Sequence, residues 1–132
     1  MNDGDIFRSS LAATSGMRAQ AERLRLISEN IANADTPGYR RKMASFEAVL
    51  DKGRPTNAVE LGPVVLSSAD RARIYAPDHP MADETGYYDG SNVNLVFEIA
   101  DAREAQLSYE ANLRIYEQTR QMSQGLLELL RR

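Results

Sequence analysis

Residues 28–39 read Ser28-Glu29-Asn30-Ile31-Ala32-Asn33-Ala34-Asp35-Thr36-Pro37-Gly38-Tyr39, and they mark the first break in the chain. Upstream the apolar pattern is helical; at Pro37 it stops. A proline disfavours the helical conformation at the residue before it, here Thr36, and Gly38 supplies a turn. Helix termination accounts for Pro37 and Gly38. It does not account for Asn30 and Asn33, because Asn is a poor choice inside an amphipathic helix. Two amides three residues apart near a helix end can bond carbonyls freed by the turn or reach a neighbouring backbone.

Upstream, a long helix is predicted from about Asp5 to Ala34. Ala13, Met17, Leu24, Ile27 and Ile31 fall on one face in a heptad-like seam, interrupted at Gln20. Gly16 weakens this helix by about 1 kcal/mol relative to Ala. Downstream, a second long helix is predicted from about Asn94 to Leu130. Leu95, Ile99, Ala102, Gln106, Tyr109, Leu113 and Tyr116 form its seam, which then shifts to Ile115, Met122, Leu126 and Leu129. A drifting seam implies a partner that also winds, or several partners. Asn92 or Asn94 is the expected N-cap, Glu98 and Asp101 lie in the early turns, and Arg131 and Arg132 suit the far end of the helix dipole.

Between the helices, residues 36–91 hold nearly all the Pro and Gly. Leu61 to Ser67 and Arg71 to Ala76 read as two strands of a hairpin turning at Ser68-Ala69-Asp70. Pro77 to Ser91 reads as a loop. The expected fold is mainly α: long N- and C-terminal helices (1–34 and 94–132) pair as a coiled-coil-like hairpin, with a small central β-hairpin and loops over 35–93. The two seams are narrow, so the helices are expected to complete their core through neighbouring chains and to be mobile in a monomer.

Composition removes several classes of function. The chain has 132 residues, one domain by the usual prior, with no cysteine and no tryptophan. Disulfides, zinc ribbons and thiol catalysis are excluded. A net charge of −3 is too small to argue for nucleic acid or an anionic membrane. Apolar runs such as Val64-Val65-Leu66 are too short to span a bilayer. The start, Met1 to Arg8, lacks the features of a cleaved secretory signal. The only histidine is His79. A metal reading would recruit Asp78, His79, Asp83 and Glu84; the preferred reading is a turn held by side chain to backbone hydrogen bonds. Arg40-Arg41-Lys42 reads as a solvated or inter-subunit charge patch. Tyr109 and Tyr116, at one-face helical spacing, read as packing residues. No phosphate loop, dinucleotide fingerprint or nucleophile elbow appears.

The stretch from Ser28 to Tyr39, preceded by Ser15-Gly16-Met17, resembles the N-terminal signature of the bacterial flagellar axial proteins, the rod, hook and hook-associated components. Tyr75-Ala76-Pro77-Asp78-His79-Pro80, Ala82 to Tyr87, Asn92-Val93-Asn94 and Ser108-Tyr109-Glu110-Ala111-Asn112 are similar to the proximal-rod members. Gly90-Ser91 departs from a usual Tyr-Pro pair, and Phe97-Glu98-Ile99 from a usual Glu-Met. The B-type proximal-rod paralogue shares the Asn-Ala-Asp-Thr-Pro-Gly-Tyr turn, and a helical adaptor outside the rod is the alternative of another class.

The resemblance implies a structural subunit of the proximal rod, which self- and co-assembles through its terminal helices into the shaft that transmits motor torque. It implies other rod subunits and the flagellar type III export apparatus as partners, and a place in the periplasmic part of the basal body without a cleaved signal. It implies no enzymatic activity, no cofactor, no metal, no nucleic acid, no small-molecule substrate and no membrane insertion. The residues expected at the assembly interface are Met17, Leu24, Ile27, Asn30, Ile31, Asn33, Pro37, Gly38, Tyr39, Tyr109, Asn112, Leu113, Tyr116, Met122 and Leu126.

Overall fold

The computed structural model of the chain describes residues 2–131. Helix α1 spans Asp3–Ala32 and helix α2 spans Leu95–Leu130. Asn2 caps α1, its side chain accepting from the Asp5 N–H at 2.8 Å, and Asp3 and Asp5 sit in the first turn, where carboxylates suit the dipole. The helix thus starts and stops slightly earlier than its apolar pattern implies. Asn94 caps α2 by accepting from the Val96 and Phe97 N–H groups, which leaves Asn92 free for another task. Arg131 is the C-cap of α2; the expected role of Arg132 lies outside the described residues.

The helices run antiparallel, since Gly16 meets Asn112 while Arg23 meets Asp101. They meet along small side chains. Ala13 and Gly16 are buried on α1, and Ala105 is fully buried on α2, with Ser108, Asn112 and Ser123 half-buried and Thr119 buried along the same face. A Cβ on Gly16 would approach the Asn112 amide to 2.8 Å, so glycine is what permits the contact.

This corrects the expected seams. On α2, Leu95, Ile99, Gln106, Tyr109 and Leu113 are exposed, and only Ala102 and Tyr116 of that seam are half-buried. On α1, Ala13 and Ile27 are buried, while Met17, Leu24 and Ile31 are half-buried. Large apolar side chains hold helix axes apart, whereas alanine, glycine and serine let them close. The apolar residues of α2 therefore flank the contact on both sides: Leu95, Ile99 and Leu113 on one, Phe97, Ile115, Met122 and Leu129 on the other. What reads as one drifting seam is two flanks.

The central region holds three separate two-stranded antiparallel sheets, not one hairpin. Strand β1 (Lys42–Met43) pairs with β4 (Val65–Leu66). Strands β2 (Phe46–Asp51) and β3 (Arg54–Leu61) form a hairpin, and β5 (Arg73–Tyr75) pairs with β6 (Tyr87–Asp89). The expected pairing of Leu61–Ser67 with Arg71–Ala76 does not form, and the expected loop 77–91 contributes a strand. The reason is Asn92. Its amide donates to the carbonyls of Ser67 and Ala69, at 3.2 and 3.0 Å, and ties the supposed turn to the approach of α2.

The β2–β3 hairpin is absent from the sequence-based expectation. Its turn residues Lys52 and Gly53 have φ of 52° and 81°, the signature of a tight hairpin turn in which glycine bears the second positive φ. The hairpin lies on α1, with Ala58 buried and the Val59 N–H donating to Ser15 Oγ at 3.1 Å.

The β5–β6 pair closes a knob. The Asp83 carboxylate accepts from the Thr85 hydroxyl and N–H, the Tyr87 N–H and Arg73. His79 stacks on Tyr88 at 4.0 Å, and its Nδ1 accepts from the Met81 N–H. These are the turn interactions expected of the segment.

The packing yields two tests. Ala105→Leu should destabilise the monomer by about 1–3 kcal/mol, read by denaturant unfolding, because the contact has no room for a larger side chain. The Asp83 bonds, the Thr85 hydroxyl foremost, depress its pKa far below the ordinary 3.8. Its contribution is therefore present above about pH 3.8 and lost only as pH falls through the depressed value. The ring signals of Tyr75 and Tyr87 should stay unchanged from pH 7 to 5; loosening at pH 5–6 would refute this.

Candidate assembly interface

The turn that ends α1 is a latch within the chain. Asn30 is buried, and its amide Nδ2 donates to the Lys42 carbonyl at 2.9 Å. Its Oδ1 accepts from the Lys42 N–H at 2.9 Å and the Tyr39 hydroxyl at 2.8 Å. One side chain thus serves both backbone groups of β1 and fixes the tyrosine that follows the turn. Burial, with the nearby Glu29 carboxylate, pushes the Tyr39 pKa up. Asn33 works locally: its Nδ2 donates to the Glu29 carbonyl, and its Oδ1 accepts from the Thr36 hydroxyl.

Beyond Asn33 the chain reverses. Gly38 has φ of 76°, donates its N–H to the Asp89 carbonyl at 3.0 Å, and accepts on its carbonyl from Arg71 at 3.1 Å. Pro37 is half-buried beside it. The Ser91 hydroxyl donates to the Ala34 carbonyl, and the Asn92 Oδ1 accepts from the Arg41 N–H at 2.6 Å. The end of α1 and the approach to α2 are therefore stitched together across the turn.

The Arg40-Arg41-Lys42 patch is half-buried and engaged within the chain. Arg41 pairs with the fully buried Glu98 through Nε and with Asp101 through Nη2 at 3.3 Å. Arg23 of α1 approaches Asp101 and Glu104 at 3.8 and 3.7 Å. Lys42 Nζ lies 2.5 Å from Glu29 Oε1, a hydrogen bond that raises the lysine pKa. Arg40 donates to the Ser67 carbonyl at 3.2 Å. The basic run joins α1, the central region and α2. The sequence reading does not find Arg41–Glu98; an acidic residue in the first turn of α2 and a run of three cations just past the end of α1 are the signals that were available.

The expected interface residues fall into two groups. Asn30, Asn33, Pro37, Gly38, Tyr39 and Ile27 are engaged within the chain, Asn112 packs beside Gly16, and Tyr116 lines a cleft with Ile6 and Phe7. Tyr109, Leu113, Met122 and Leu126 are exposed, and Met17, Leu24 and Ile31 are half-buried. The structure adds large exposed side chains that the sequence reading did not choose, among them Phe7, Val96, Phe97 and Leu107.

The relatives of the chain identify its family. A family model described as flagella basal body rod protein matches residues 11–40, and one described as flagellar basal body rod FlgEFG protein C-terminal matches residues 84–129. The flagellar basal-body rod protein FlgC of Agrobacterium fabrum is 41% identical over 130 residues, covering 93% of this chain and 94% of the relative. The chain belongs to the FlgC family of flagellar basal-body rod proteins. The FlgC proteins of Salmonella typhimurium and Aquifex aeolicus are each 32% identical, over 89% and 94% of this chain and 92% and 96% of their own lengths. The two family matches cover the end of α1 with the latch, and nearly all of α2.

Asn30→Ala should cost about 2–4 kcal/mol of monomer stability, because it strands the Lys42 backbone groups and the Tyr39 hydroxyl in a buried site. Asn33→Ala should cost about 0.5–1 kcal/mol. Equal effects in denaturant unfolding would remove the latch from Asn30.

Proposed function

We propose that this chain is a structural subunit of the flagellar basal-body rod, placed in the proximal rod through its two helices, and that it does no catalysis. One observation carries the reading. Helix α2 turns its small and polar face to α1 and leaves its large apolar side chains exposed on both flanks. A lone protein gains nothing from such flanks; a shaft built from many helices side by side fills them.

In this reading α1 and α2 form the inner axial unit and the central region, 35–93, faces outward against other rod subunits. Coiled-coil-like packing occurs between subunits, where leucines and isoleucines of one flank meet those of the next. The contacts are head-to-tail, because a two-fold interface would close on itself and cannot build a tube. Tyr109, Leu113, Met122 and Leu126 are the interface residues that the exposed flanks support best. Met17, Leu24 and Ile31 border the same helix pair. The subunit reaches the periplasmic rod through the flagellar type III export apparatus and carries torque from the motor toward the hook. Among the described residues no helix is long and apolar enough to cross a membrane.

Leu113→Asp tests the flank. Leu113 is 37% exposed in the single chain, so the monomer should lose less than about 0.5 kcal/mol. In a filled interface an unpaired carboxylate costs several kcal/mol, on the order of 2–7. Purified basal bodies should lack the proximal rod while the monomer stays folded. Normal rods and normal swimming would exclude Leu113 from the interface.

A further inference from the structure

Two ribbons of the central region each have one closed edge and one open edge. In an antiparallel pair, alternate residues turn their backbone N–H and C=O groups away from the partner strand. On β1 the outward residue is Lys42, and the Asn30 amide meets both of its backbone groups. On β6 the outward residues are Tyr87 and Asp89. The Tyr87 N–H donates to the Asp83 carboxylate, and its carbonyl accepts from the Asp83 N–H at 2.8 Å. The Asp89 carbonyl accepts from the Gly38 N–H. These two edges are filled within the chain.

The opposite edges are not. The Ser67 N–H donates to the Arg41 carbonyl, which turns Leu66 outward on β4 and, by alternation, Val64 just before it. The Gly90 N–H donates to the Ala72 carbonyl and the Ala76 N–H to the Gly86 carbonyl, which turns Arg73 and Tyr75 outward on β5. Among the described residues nothing bonds the outward backbone groups of these four. Val64, Val65, Leu66, Ile74 and Tyr75 are 37–63% exposed. Each edge thus offers two open residues, two positions apart. The pairing between these segments that the sequence predicts is the one the chain leaves unmade.

We propose that β4 of one copy pairs antiparallel with β5 of an adjoining copy, with Val64 opposite Tyr75, Val65 opposite Ile74 and Leu66 opposite Arg73. An open strand edge defines its occupant more narrowly than an apolar face does, because an extended backbone is what fills it. The β5 edge matches in length and spacing, and it sets β-branched residues against a β-branched residue and an aromatic ring. The joined ribbons form a four-stranded sheet, whereas a lone two-stranded ribbon is marginal. The contact is head-to-tail, since β4 meets β5 and not itself. The proposal rests on the rod-subunit reading and names where the central regions of two copies meet.

The chain has no cysteine, so Val65→Cys and Ile74→Cys each introduce a single thiol. Cells make both variants in place of the unaltered chain, and their basal bodies are purified and mildly oxidised. Disulfide-linked pairs of the chain should exceed those from either variant alone at least about tenfold, because opposed side chains in a sheet lie within disulfide reach. Leu66→Pro removes an N–H that faces outward. Monomer helicity and protection of the Ser67 amide should persist, while incorporation into basal bodies falls about tenfold. Leu66→Ala keeps that N–H and should enter far better than the proline variant. No cross-link between the two thiols, with both variants present in basal bodies, would overturn the proposal. So would equal incorporation of the proline and alanine variants, or a disulfide formed within the monomer of the Val65→Cys/Ile74→Cys double variant. If a cysteine variant stays out of basal bodies, the proline and alanine variants decide; if proline opens the β1–β4 ribbon, the cross-link decides. Absence of the unaltered chain from basal bodies would instead overturn the rod-subunit reading.

Discussion

Ala13 and Gly16 on one helix and Ala105 on the other set the distance between the two helices, and the rest of the surface follows from that distance. Small side chains let the backbones close around Gly16 and Ala105, and there the contact has no space for leucine, isoleucine or phenylalanine. Those residues are displaced to the flanks of α2. A helix pair packed through large residues would bury its apolar surface and finish as a stable monomer. This pair does the reverse: internal packing is thin, and the larger apolar surface stays exposed.

A thin helix contact needs support at its end, and the latch supplies it. Asn30 holds β1, Arg41 bridges the central region to Glu98 and Asp101, and Asn92 ties the segment after β4 to the approach of α2. Glu98 is the extreme case. A carboxylate with no exposed surface tolerates its position only because a guanidinium sits against it. Polar interactions thus set the angle at which the outward region leaves the helices, while apolar side chains stay available on the outside.

The sequence discloses the two long helices well, because period, caps and the Pro37-Gly38 break are local signals. It discloses the family through Ser28 to Tyr39. It fails where the answer depends on distance between elements. Periodicity counts apolar residues and so points the Leu95-to-Tyr116 stripe at α1, although packing selects the face with Ala105. It cannot tell that Asn30 is spent inside the chain, since an amide looks the same whichever backbone it bonds. The misplaced hairpin has a similar origin. Val64-Val65-Leu66 has strong strand character, but its partner is Lys42–Met43, more than twenty positions earlier. The true hairpin over 46–61 carries Pro55 and scattered charges, and the Lys52-Gly53 turn is its clearest local signal.

That turn has a consequence for how the protein varies and how it can be handled. Gly53 faces open space, and its neighbours Asp51, Lys52 and Arg54 are exposed. The hairpin is anchored at the other end, by Ala58 against α1 and by the Val59–Ser15 bond. Added residues at the tip would lengthen the ribbon away from both helices and leave the latch untouched. The position is therefore a natural place for the chain to gain or lose length during evolution. It is also where a fluorophore or epitope can ride on the subunit without entering any face between its helices.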